Sequence, residues 1–555
     1  MRHLKSTRIL LAISVLPVYY TLKLFSSGFL SNDDASIAIS RFEHGNSMFG
    51  ASYDLALSTG RFHQTIFYTL SQIPYLTPQS LLQVSIGVWR SAFILLFFVA
   101  TYQFSKYFLG QVTGYLTIFI TAITIDFSGW YNSLVSYPFW ISLGISLTLL
   151  SAISLDKYLL THNRKEFLVF LLFSLIGILS YEALIGSIFL YIYVFNRYLK
   201  ASESSFMSTL KQNKKLFALY ALMLTSYCLV YVCFRKFADG RYAGTELGEL
   251  SPKVFLSTLF QESLLHSSLK RLFIDETGLF KFKVNFLALE STLFNPLGAI
   301  ITLGLVLSIF ALTTLTRNIS GQVVIPERAT NLDFKWFALL FFVPNSLLAL
   351  SKLHQFSFDN SPYTMSLFSI VFLNLLIAIF LQKLLSTSTV QISKRINRKT
   401  LAFTLILILS TTATAQIRAN ISYVNDRSEV SQVWKLLHSD DLRFQLEKEY
   451  ETIYSRSIPR VTRTEGYPFW SFQLGKKDPN FLTNGTKPPD YNNLEALKSD
   501  CGYILVLIQK GNLVKTFQPP RCKVTTVTLT TSDFQFPSDF GQILKKEWID
   551  VKVVG

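Results

Sequence analysis

Long apolar stretches recur along the chain, at Ile9–Leu30, Val84–Phe104, Gln111–Ile125, Tyr137–Leu155, Phe167–Phe195, Leu216–Phe234, Leu293–Leu315, Phe334–Leu350, Tyr363–Leu385 and Leu401–Ala415. Each can cross a hydrocarbon layer of about 30 Å as a helix. Inside lipid every backbone polar group must be satisfied internally, which leaves helices as the spanning element for runs of this length. The rest of the composition agrees: 50% of the 555 residues are apolar, 49 are Phe and only 16% are charged. Ile9–Leu30 is too long for a secretory signal core and lacks a small-residue cleavage site, so it reads as a retained span.

The run Phe167–Phe195 decides the topology. At about 1.5 Å per residue it is too long for one span and short for two. Lys157, Arg164 and Lys165 precede it, and Arg197, Lys200, Lys211, Lys214 and Lys215 follow it. Basic residues gather in cytoplasmic loops, so both flanks belong on one side and two short helices meet near Ser180-Tyr181-Glu182. That gives about eleven spans, a cytoplasmic N-terminus (Arg2, Lys5, Arg8) and an extracytoplasmic C-terminus. Lys106, the Arg317–Arg328 loop and the Lys394–Lys399 loop then all fall on the cytoplasmic side. The outer regions are Ser31–Gln83, Arg235–Ser291 and the segment from Arg418 to Gly555.

The expected architecture is a polytopic α-helical membrane domain over residues 1–417 and a small extracytoplasmic α/β or α+β domain over 418–555. The second carries strand-like runs at Gly502–Ile508 and Val524–Leu529, turn residues at Gly511-Asn512 and Pro519-Pro520, and a helical pattern over Val430–Tyr454. Its two cysteines, Cys501 and Cys522, form a disulfide candidate in an oxidising compartment, whereas Cys228 and Cys233 sit in an apolar run. The net charge of +17 belongs to basic loops at anionic lipid rather than to a nucleic-acid footprint. No Cys/His spacing resembles a zinc site, and no metal ligand set is assigned.

Several polar residues stand out against this background. Asp33 and Asp34 lie just outside the first span, where a carboxylate can take a proton from an attacking hydroxyl; a solvated helix end is the alternative. Arg61, in Gly60-Arg61-Phe62-His63-Gln64, and Arg90, after Trp89, offer planar forks for phosphate oxygens or are interfacial arginines that snorkel. Glu182 interrupts an apolar run, which is costly unless it faces a polar cavity or pairs with an arginine. Lys352, in a short outer loop with His354, is placed for a phosphate headgroup. Asp33, Asp34 and Glu182 are the catalytic candidates and can share one extracytoplasmic cavity, with Arg61, Arg90 or Lys352 as counter-charges and donor-phosphate ligands.

The layout of Asn32-Asp33-Asp34, Gly60-Arg61, Tyr181-Glu182, Leu350-Ser351-Lys352 and an outer domain opening near Asn420-Ile421-Ser422 resembles the GT-C superfamily of polytopic glycosyltransferases. Within it, the chain is similar to the glucosyltransferase II-like enzymes that modify O-antigen in serotype conversion. The resemblance implies an undecaprenyl-phosphate-linked sugar donor, a lipopolysaccharide O-antigen acceptor and a bacterial inner-membrane location. It also implies Asp33 or Asp34 as the base. No organic cofactor is expected, and a divalent cation is left open. The rival readings are a polysaccharide or lipid-linked sugar flippase, against which the absence of an internal repeat counts, and an O-antigen polymerase. The C-terminal segment departs from any pattern of the family.

Overall fold

The computed structural model describes residues 14–20, 48–76, 79–127, 132, 134–135, 138–238, 246–273, 290, 292–320, 327–356, 366–385 and 398–437, together with five strands between 450 and 554. Asp33, Asp34, Cys501 and Cys522 lie outside the described residues. The chain divides into two compact units, residues 1–26, 52–71 and 87–423 in the first and 27–51, 72–86 and 424–555 in the second.

The first unit is a helical bundle. The helices of the chain begin with α1 (14–20), α2 (Met48–Thr59), α3 (His63–Ser71), α4 (Gln79–Leu109) and α5 (Gln111–Thr124), the first residues of α2 and α4 and the last of α17 falling in the second unit. They continue with α6 (Leu143–Thr161), α7 (Arg164–Ser180), α8 (Ile188–Ser202), α9 (Phe206–Gln212) and α10 (Lys214–Phe237). The last are α11 (Pro252–Leu264), α12 (Lys270–Phe273), α13 (Pro296–Ser320), α14 (Glu327–Ala349), α15 (Lys352–Phe356), α16 (Ser366–Leu385) and α17 (Arg398–Leu437). Among the described residues, seven helices are long and apolar enough to cross a membrane. The protein is therefore a helical membrane-spanning protein. α17 is one 40-residue helix that runs through Arg418, where the sequence places a domain boundary.

The long apolar run after Asn163 divides as its flanking charges require. Asn163 caps α7 by accepting from the Lys165 amide at 2.9 Å. α7 ends at Ser180, Tyr181 takes an extended conformation (φ −157°, ψ 131°), and a 3-10 turn, Glu182–Ser187, leads into α8. α8 packs on α6, where the Tyr191 hydroxyl lies 2.7 Å from Ser151, and Tyr191 also meets Phe170 of α7 edge-on at 5.1 Å. Small residues let these helices approach closely, as in lipid, where apolar side chains gain nothing by leaving their surroundings. A Cβ at Gly144 would stand 2.7 Å from the Ser180 Cβ, and one at Gly177 would stand 3.4 Å from the Gly144 carbonyl oxygen. The Trp140 indole N–H donates to the Ser180 carbonyl and satisfies a group freed where α7 stops.

Contacts sort the polar residues to two ends of the bundle. At one end Tyr107 donates to Asp156 (2.8 Å), Tyr193 donates to Asp333 (2.8 Å), and Arg197 lies over the Phe108 ring at 5.1 Å. Lys106, Lys157 and Lys383 belong to this end by their places on α4, α6 and α16. The opposite end carries Arg61, Glu182, Asp126, Lys270, Glu262 and His354, whose partners are described below.

The second unit contains one mixed sheet of five strands, β1 (Tyr450–Ser455), β2 (Asn480–Thr483), β3 (Tyr503–Gln509), β4 (Val524–Thr531) and β5 (Ile549–Val554), in the order β2-β1-β3-β4-β5. β1 pairs in parallel with β2 and β3, β3 pairs in parallel with β4, and β5 closes the edge antiparallel to β4.

Candidate functional site

Arg61 follows Gly60, whose φ of +71° is open to glycine at little cost and turns the chain between α2 and α3. The turn is held by the Arg61 amide donating to the Ala56 carbonyl at 3.0 Å. It aims the Arg61 guanidinium at Glu182, Nη2 to Oε1 at 2.6 Å, while His63 Nε2 lies 3.2 Å from Oε2 of the same carboxylate. Arg61 and His63 side chains are 7% and 0% exposed and Glu182 is 20% exposed, so a largely covered carboxylate is matched by two groups able to carry positive charge. Such a group is tolerated in an apolar run only when paired in this way.

Aromatic rings wall the cluster. Arg61 sits over the Tyr181 ring at 5.5 Å, and His63 stacks on Tyr231 of α10 with ring centroids 6.3 Å apart. Phe62 meets Tyr227 at 5.6 Å and Phe234 at 6.2 Å. Arg235 adds a further positive charge, its Cγ lying 3.5 Å from where a Cβ at Gly60 would stand.

A second buried cluster closes the same end. Asp126, fully buried, lies two residues beyond the end of α5 and forms an ion pair with Lys270 at the start of α12. Its Oδ1 also accepts from the Gln416 amide at 2.6 Å, and Arg271 Nε donates to Gln416 Oε1 at 3.0 Å. The Asp126 amide donates to the His266 carbonyl (2.9 Å), and Asn420 bridges the Ile125 carbonyl and the Phe127 amide. Burial pushes the His266 imidazole down to about 3, with Lys270 acting in the same direction and Asp126 against it. Burial also lowers the Lys270 ammonium, opposed by Asp126. The Tyr20 ring of α1 meets Phe127 edge-on at 4.7 Å, beside this cluster.

A third pair, Glu262 and His354, is buried at 2.9 Å between α11 and α15. Beside it Gln355 accepts from the Glu249 amide at 2.6 Å, and Lys352 Nζ pairs with Glu246 Oε2 at 3.1 Å.

Of the sequence-derived candidates, Arg61 and Glu182 are brought together. Arg90 and Lys352 do not pair with Glu182. Arg90 is buried on α4 and donates through Nε to the Val135 carbonyl at 3.2 Å, while Lys352 is more than half exposed and bound to Glu246. Sequence reasoning passed over Asp126, Glu262, Lys270 and His266. Each stands at a helix end or in a polar segment where a charged residue gives no signal, and Asp126 and Lys270 are far apart in sequence. Among the described residues no three His, Cys, Asp or Glu side chains are grouped as metal ligands. No protein-family model and no curated protein matches the chain.

Proposed function

We propose that the protein is a GT-C-type membrane glycosyltransferase. It moves a hexose, glucose by resemblance, from undecaprenyl phosphate to a lipopolysaccharide O-antigen acceptor at the periplasmic face of a bacterial inner membrane. The observation that carries this reading is the buried Arg61–Glu182–His63 cluster at one end of an apolar bundle. Arg61 supplies a fixed fork for the phosphate of the lipid donor, and a guanidinium keeps its charge beside lipid. Glu182 engages Arg61 and His63 with its two oxygens, so it serves as their orienting partner. Proton removal from the acceptor hydroxyl falls to Asp33 or Asp34. Arg90 and Lys352 stand apart from the pair and are left with auxiliary roles in donor binding.

The orientation, with about eleven spans, a cytoplasmic N-terminus and a periplasmic C-terminus, is supported by the gathering of Lys106, Lys157, Arg197 and Lys383 at the end opposite Glu182. Mass spectrometry of surface polysaccharide from cells with and without the gene tests the function. One added hexose per repeat is expected. A lost polymer would point to polymerisation, and an unchanged covalent structure would remove the transferase reading.

A further inference from the structure

The segment 246–250, between α10 and α11, is fastened to the end of a membrane-spanning helix. The Gly248 amide donates to the Leu350 carbonyl at 2.8 Å, one residue past α14, and the Lys352 amide donates to the Glu246 carbonyl at 2.9 Å. Gln355 locks this pairing with its side-chain amide. Its Oε1 accepts from the Glu249 amide at 2.6 Å, and its Nε2 donates to the Glu249 carbonyl at 3.1 Å and to the Ala349 carbonyl at 2.8 Å. A Cβ at Gly248 would run into the Gln355 side chain, so glycine lets the segment lie this close. The segment thus satisfies carbonyls that a helix end leaves open, at the level where α14 leaves the apolar layer.

The backbone here is held tightly, yet its leucines stay uncovered. Leu247 and Leu250 are 72% and 73% exposed, and Leu256, one turn into α11, is 60% exposed. Leu347, in the last turn of α14, is exposed as well and carries the apolar surface down onto the span. Lys253, also exposed, stands among the leucines in the sequence. Exposed apolar side chains gathered at one place mark an interaction surface, and a lysine interleaved with leucines at the end of a span suits lipid headgroups above acyl chains. We propose that Leu247, Leu250 and Leu256 form an interfacial anchor. They dip into the lipid leaflet at the Glu182 end of the bundle, and Lys253 meets the lipid phosphates. The partner is the lipid surface itself, so the α10–α11 connection lies in the membrane surface rather than in water. This goes beyond the transferase reading and does not rest on it.

The test is fluorescence of the full chain, cleared of its native cysteines, in nanodiscs of phosphatidylcholine. An environment-sensitive dye is attached at Leu247→Cys or at Leu250→Cys. Lys165→Cys, at the exposed start of α7, is the reference for water, and Leu303→Cys, an exposed position within the span of α13, is the reference for the acyl layer. Lipids with a nitroxide near the headgroup should quench both leucine positions more strongly than lipids with the nitroxide deep in the acyl chain. Leu303→Cys should show the reverse. Iodide in the buffer should quench the leucine positions about 3-fold or more less than Lys165→Cys. Leu256→Cys reads the same surface from α11, so a folding failure at one position leaves the test standing. Iodide quenching equal to that of Lys165→Cys, without quenching by lipid, would place the leucines in water and overturn the proposal. Protection from iodide and from both nitroxides would mean that protein covers them, and a depth profile like that of Leu303→Cys would place them inside the acyl layer. Either result overturns it equally.

Discussion

Replacing Asp126 by Asn leaves the Lys270 ammonium in a position that is only 10% exposed, with its counter-charge gone. Removing one member of a buried pair costs about 3–5 kcal/mol, chiefly because the remaining charge stays desolvated. Two features of the site place Asp126→Asn toward the lower figure. Asparagine still offers Oδ1 to the Gln416 amide, and Lys270, already lowered by burial, can release its proton instead of staying charged. Lys270→Met removes the paired cation from a carboxylate at 0% exposure, to which the Gln416 amide still donates, and should cost more. The double variant removes both charges and keeps the length of the lysine stem. It is expected to recover more than the Lys270→Met loss by itself, about 5 kcal/mol of the summed single losses. Unfolding midpoints of the purified full chain in one detergent, followed by tryptophan fluorescence, give the order: wild type, double variant, Asp126→Asn, Lys270→Met. If the losses simply add, or if all four proteins unfold together, the pair does not hold this end of the bundle.

Three further outcomes are expected. Gly144→Ala drives a methyl group against Ser180 and should destabilise the bundle by about 1–3 kcal/mol, read as a lower midpoint, with Ser180→Gly restoring part of it. His266, at about 3 when folded and 6.5 as its reference value, takes up a proton in the unfolded chain first. Stability should therefore fall as pH drops from 6.5 toward 3, by about 2 kcal/mol at pH 5, and His266→Gln should flatten that slope; equal slopes would refute it. In a chain cleared of its native cysteines, an impermeant thiol reagent should label Ser58→Cys on intact spheroplasts and Ser204→Cys only after permeabilisation. The reverse pattern would invert the orientation.

The sequence made the bundle legible because apolar length and basic flanks act locally. The division of Phe167–Phe195 at Tyr181 followed from charge on either side, and the structure breaks the helix there. Glu182 was visible for the same reason, as one carboxylate in an apolar run whose cost demanded a partner. Its pairing with Arg61 was one of three open choices, since Arg90 and Lys352 carried the same charge on the same expected side. Packing decided among them. Gly60 turns Arg61 inward, while Arg90 meets the Val135 carbonyl and Lys352 finds Glu246. His63 was named in its motif without a role, because burial and stacking on Tyr231 depend on α10 arriving from far along the chain. Asp126 with Lys270 was hidden for the same physical reason, as an ion pair between distant segments leaves no periodic trace.

The central claim is tested most directly by hexose transfer in membranes containing the full chain, supplied with a polyprenyl-phosphate-linked hexose and an O-antigen acceptor. Wild type should transfer hexose. At normal protein level, Asp33→Asn or Asp34→Asn should lower the rate by about 10²-fold or more. Arg61→Ala should raise the donor concentration needed for half-maximal rate, and Glu182→Gln, which loosens Arg61, should shift it in the same direction. No transfer by wild type, or full activity in all four variants, would contradict the account.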